Sequence, residues 1–142
     1  MASFLFYFAR YGNCHCYLIS LVLFYAFRGM VQNLFVFSFY DNYLFDFKGG
    51  FYSFFVPYGR ESDFFYSGHC GIATLATLTF RDLNIKPLYY FGIIVTFLQI
   101  MVMTSITRAH YSIDALFGVL FAFYFFKVGK SIYRTLKERN WL

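Results

Sequence analysis

Four long apolar runs, none broken by proline, dominate this chain. They fall at about residues 16–40, 64–80, 88–107 and 110–126, and only the first carries a charge in its middle, Arg28. A helix needs about 20 residues, within a range of about 17–25, to cross a hydrocarbon core of roughly 30 Å. All four runs fit, the second narrowly. Unbroken stretches of Leu, Ile, Phe and Val read as helix, because a barrel strand alternates over about ten residues. The expectation is an all-α integral membrane bundle of about four transmembrane helices. Residues 1–142 then form a single membrane domain that ends in a basic tail, 127–142. No internal repeat is visible.

Composition removes the competing classes. The 142 residues are 60% hydrophobic and 13% charged, against roughly 45–50% and about 25% in soluble domains. Aromatics make up 27%, which excludes intrinsic disorder. A small soluble fold has too little interior to hide so much apolar surface. The formal net charge of +5 sits at the ends of the apolar runs and in the tail. That pattern fits anionic lipid headgroups and not nucleic acid. Cys14, Cys16 and Cys70 make no disulfide framework. Cys14-His15-Cys16 lacks a second cysteine pair to complete a four-ligand metal site. Met1–Ala9 has no basic stretch before it and no A-x-A-like site after it, so a cleaved signal peptide is not expected. The surplus of Phe, Tyr, Ile and Asn suits an AT-rich, organellar gene.

Four crossings put both termini on one side. That side carries Arg10, Arg81, Lys86, Lys127, Lys130, Arg134, Lys137 and Arg139, against Asp82 and Glu138. The other carries Lys48, Arg60 and Arg108, against Asp41, Asp46, Glu61 and Asp63. The positive-inside rule places the termini in the cytoplasm or its equivalent, and the loop 41–63 outside or in a lumen. The link 81–87 is short, with Pro87 set to open the third helix.

Ionisable groups inside spans are costly and point to function. Here they are Arg28, His69, Arg108, His110 and Asp114. The second and fourth helices both start on the outer side, so His69, Arg108, His110 and Asp114 are expected at one depth near the outer face. On a helix, His110 and Asp114 stack on one face, four residues apart. A carboxylate on one ring nitrogen raises the basicity of the other, as a nucleophile or general base requires. A buried pair that serves only its own packing has the same spacing. In Tyr66-Ser67-Gly68-His69, Gly68 allows close backbone approach and Ser67 supplies a hydroxyl. Amides in a helix's first turn favour an anion, and a histidine there is placed to protonate a leaving alkoxide. Arg28 suits a phosphate clamp, or an ion pair with Asp114 or a neighbouring chain.

These blocks carry a resemblance. Ser62-Asp63-Phe64-Phe65-Tyr66-Ser67-Gly68-His69 resembles the S-G-H-T box of the sphingomyelin synthase family, and Arg108-Ala109-His110-Tyr111-Ser112-Ile113-Asp114 its H-Y-T-x-D box. That family is a branch of the membrane phosphatidic acid phosphatase type 2 (PAP2) superfamily. Plant phosphatidylcholine:diacylglycerol cholinephosphotransferases are similar in the same boxes. The resemblance implies that His110 attacks a phospholipid's headgroup phosphorus to give a phosphohistidine, that Asp114 orients His110, and that His69 protonates the departing diacylglycerol. The acceptor would be a ceramide, a diacylglycerol or water. Ser67, Gly68, Arg108 and Arg28 would bind the phosphate or lipid, with neither metal nor cofactor, at a site facing lumen or exterior.

Cys70 and Ser112 replace the family's threonines. The K-x6-R-P and S-R-x5-H-x3-D motifs of the phosphatase branch do not occur, which favours the synthase-like branch over a lipid phosphate phosphatase. The resemblance implies six helices where this chain has room for four. A truncated core, a membrane-protein partner that supplies two helices, and an inactive subunit of a larger organellar complex are the expectations that follow. The tail from Lys127 is expected to bind anionic lipid, or to dock a partner.

Overall fold

The computed structural model describes residues 15–32, 34, 66–106 and 111–139. Among them the chain is helical apart from short links, with no strand. Helix α1 is His15–Gln32, α2 is Gly68–Asp82, α3 is Lys86–Met101 and α4 is Ser112–Glu138. The end of α3 widens into a π turn, Val102–Ile106.

Helix α2 is the centre of the bundle and packs on the other three. It carries Thr74, Thr77 and Thr79, whose hydroxyls donate to the carbonyls of Cys70, Ala73 and Leu75 at 2.7–2.8 Å. Each polar group is thereby satisfied within its own helix and needs no water. A Schellman turn ends α2: Ile85 N–H donates to Phe80 O at 2.9 Å and Asn84 N–H to Arg81 O at 3.1 Å. Asn84 takes the left-handed conformation this turn requires, with φ 58°. Helix α3 starts directly after it, with Pro87 in its first turn as expected.

Helix α1 runs antiparallel to α4. His15 stacks on Tyr133, Phe24 meets Phe125 edge-on, and Phe27 lies 5.2 Å from Phe121, ring centre to ring centre. Helices α2 and α4 run parallel. Ser67 meets Asp114 at one end, and Asp82 forms an ion pair with Lys130 at the other. Helix α3 returns antiparallel along α2, with Gly92 against Thr77. Glycine at such positions lets apolar helices approach closely.

Two helical stretches, Lys86–Ser105 and Ser112–Glu138, are long and apolar enough to cross a hydrocarbon core. Helix α1 is shorter, and α2 has 15 residues. The boundaries differ from those read from the apolar runs. Helix α2 starts at Gly68, not near 64, because Ser67 caps it. Helix α1 ends at Gln32, Leu34 closes a turn onto Val31, and residues 35–40 lie outside the described residues. Helix α4 does not stop at 126 but runs on through the basic tail to Glu138. At 1.5 Å per residue it is about 40 Å long, so about 10 Å extends beyond a typical core.

The candidate site at the Ser67–Asp114 end

The first residues of α2 are tied to both neighbouring helices. Tyr66 is wholly buried. Its hydroxyl donates to Phe24 O at 2.8 Å, and its ring packs on Phe24 and Phe121. Its own carbonyl accepts a hydrogen bond from Arg28 Nε at 3.1 Å. Arg28 is only 4% exposed, so the bundle buries a full charge here, a costly arrangement in an apolar setting. Gly68 makes room for it: a Cβ there would lie 3.3 Å from Arg28 Nε.

On the other side, Ser67 N–H donates to Asp114 O at 2.9 Å. Ser67 Oγ accepts from Cys70 N–H at 3.4 Å, and Ser67 O accepts from Gly71 N–H at 3.1 Å. The serine hydroxyl, expected to bind phosphate or lipid, also caps the helix. Gly118, one turn after Asp114, permits the approach, since a Cβ there would stand 2.5 Å from Ser67 O.

Asp114 is 1% exposed. Its Oδ2 accepts the Tyr111 N–H at 3.0 Å, while Tyr111 O accepts the Asp114 N–H at 3.0 Å. The carboxylate therefore satisfies an amide at the start of α4, and its charge suits the positive end of the helix dipole. The sequence reading put the i, i+4 pair of His110 and Asp114 on one helix; of the two, Asp114 is described, and it lies in α4, which runs from Ser112. Asp114 belongs to its first turn. His110 and Arg108 lie outside the described residues.

His69 is half-buried and lines a cleft of about 260 Å³ between α2 and α3. Gln99 and Val95 face it from α3, and the cleft continues along α2 past Ala73 and Ala76 to Phe80. Arg28, Ser67, Gly68, His69 and Asp114 thus share one end of the bundle. Arg28 and Asp114 approach the start of α2 from α1 and α4, and His69 opens toward α3. Tyr66, Gly118 and Gln99 were not singled out in the sequence. A lone glycine in an apolar helix is a signal for the second, and a lone amide in the run 88–107 for the third.

Two helical stretches long and apolar enough to cross a membrane, with a buried arginine and a buried aspartate at one end of the bundle, support a membrane-associated helical protein with a charged site. Residues 62–131 match the family model described as PAP2 superfamily C-terminal. Members of that superfamily are typically lipid phosphatases or phosphotransferases. The match covers just under half of the chain and includes both motif blocks; Arg28 lies before it. Comparison with curated proteins and with solved structures gives no match.

Proposed function

We propose that this protein is a lipid headgroup phosphotransferase of the sphingomyelin synthase type. The observation that carries the reading is the hydrogen bond from Ser67 N–H to Asp114 O, which joins the two motif blocks at one end of the bundle. In the first step a ring nitrogen of His110 attacks the headgroup phosphorus of a phospholipid. The bond from phosphorus to the diacylglycerol oxygen breaks, and that oxygen takes the His69 proton. In the second step His69 takes the proton of an incoming ceramide or diacylglycerol hydroxyl. The new oxygen–phosphorus bond forms and the phosphohistidine bond breaks, which restores both residues. Asp114 positions the fourth helix's entry and supplies the negative charge that orients and balances His110 in the reaction. Arg28 and Arg108 offset the charge on the phosphoryl oxygens, and Ser67 and Gly68 let the phosphate approach the opening turn of α2. The site end faces the lumen or exterior, and both termini face the cytoplasm or its equivalent.

Liposomes with phosphatidylcholine labelled in its choline phosphate, plus ceramide and diacylglycerol, test this. Label moving into a new lipid, and not with His110→Ala, supports the transferase and identifies its acceptor. Label released to water makes the protein a lipid phosphatase. Failure to turn over any headgroup by folded, correctly oriented protein overturns the enzyme reading.

A second reading, an inactive membrane subunit of a larger complex, draws on α3, which contributes no buried residue. Migration of the native protein as a large stoichiometric complex would favour it.

A further inference from the structure

Two cavities meet at the end of the bundle opposite Ser67 and Asp114. The first, about 200 Å³, sits at the turn between α2 and α3 and is lined by Arg81, Asn84, Lys86, Tyr89 and Tyr90, among others. The second, about 250 Å³, is a groove between α2, α3 and α4, walled by Leu78, Ile93, Phe97, Val119 and Phe123. Arg81 and Tyr89 line both, so the basic pocket opens into the apolar groove.

We infer that this composite cavity binds one anionic phospholipid, with its phosphate between Arg81 and Lys86 and one acyl chain in the groove. The charges suit it. Asp82, the acid nearest to this turn, is held by Lys130 on α4. Among the described residues neither Arg81 nor Lys86 forms an ion pair, and both are exposed. Tyr89 and Tyr90 stand at the mouth, where amphipathic rings mark the headgroup level. The length also suits it. The groove follows α3 from Tyr89 to Ile100, about 16 Å at 1.5 Å per residue, close to half of a 30 Å core and so to one leaflet. The Schellman turn at Asn84 fixes the spacing of the two cations, because Arg81 O is one of its acceptors and Lys86 follows its last donor. The basic pocket lies at the far end of α2 from His69, so the phosphate held there is remote from the proposed reacting end.

Native mass spectrometry of the purified full chain, titrated with phosphatidylglycerol or with phosphatidylcholine, tests the site. One phosphatidylglycerol should be retained, at least about tenfold more tightly than phosphatidylcholine. Arg81→Gln with Lys86→Gln should weaken it by about thirtyfold, as expected for two basic groups at a lipid surface. Lys137→Gln with Arg139→Gln removes the same charge from the exposed tail and should cost under about threefold at this distance. Ile93→Trp, which fills the groove and leaves every charge, should also weaken retention. Equal retention of the two lipids by the unmodified chain overturns the proposal, and that comparison needs no variant to fold. So does a tail variant as costly as the Arg81 and Lys86 pair, or inorganic phosphate competing as well as the lipid. None of these readings depends on catalysis.

Discussion

The backbone N–H of Ser67 donates to the backbone carbonyl of Asp114 at 2.9 Å. A link between two main chains does not depend on either side chain. It depends on how closely α2 and α4 approach, and Gly118 sets that distance. Gly118→Ala puts a Cβ 2.5 Å from Ser67 O, where backbone must shift. The expected cost is about 1–3 kcal/mol, as for other overpacked sites. Gly29→Ala, with nothing within 4 Å, should be neutral or slightly stabilising. Thermal unfolding of the two variants in one detergent checks the contrast.

Asp114 combines a cap with a charge, and two substitutions separate them. Asp114→Asn keeps an oxygen to accept the Tyr111 N–H, now at 3.0 Å. It should melt close to the unmodified protein. Asp114→Ala removes the acceptor and should lose about 1 kcal/mol. In label transfer between lipids both should fall by about 10³-fold, because each loses the carboxylate charge on which the proposed transfer relies. An Asn variant with full activity would leave Asp114 a structural cap only.

Arg28 spans α1 and the start of α2 through Nε and Tyr66 O. Arg28→Ala strips a buried carbonyl of this donor and should cost about 1–3 kcal/mol. Arg28→Lys keeps the charge and loses the planar fork. It should recover part of the stability but less than about a tenth of the transfer activity, if the fork also holds phosphate. Melting curves and label transfer on the same preparations distinguish the two roles.

Asp82 and Lys130 pair across α2 and α4, each about a third exposed. Such a pair is screened by solvent and should contribute less than about 1 kcal/mol. Asp82→Lys with Lys130→Asp should restore most of what either change alone removes. A double-mutant cycle in thermal melts measures the coupling.

The class of fold was legible because its signal is long-range and redundant: no arrangement in water accommodates so many phenylalanines. Pro87 marked the start of α3 for a local reason. The serine before Gly68 was legible too, and in the fold its hydroxyl caps α2. The far end of α4 was hidden. Lys127 and Lys130 look like the edge of a span, yet the helix continues because Lys130 finds Asp82 and Tyr133 finds His15, partners remote in sequence. The start of α4 rests on a local signal that the apolar pattern does not carry, the reciprocal cap between Tyr111 and Asp114. The depth argument for His69 and Asp114 needed only the order of the helices, and both lie at one end.

The antiparallel seam between α1 and α4 bears on the order in which the protein is made. Phe24 waits for Phe125, Ser20 for Gly129 and His15 for Tyr133, so the first described helix rests largely on the last. Helices α2 and α3 can pair as soon as both leave the ribosome, since their link is a single turn. Helix α1 gains its main support only once α4 has been made. Until then it depends on lipid, a chaperone or the insertion machinery to cover its aromatic face. A nonsense codon near Tyr124 would therefore remove more than a basic tail. It would leave the N-terminal helix without its seat and Arg28 poorly held beside the opening of α2, a product that membrane quality control should clear.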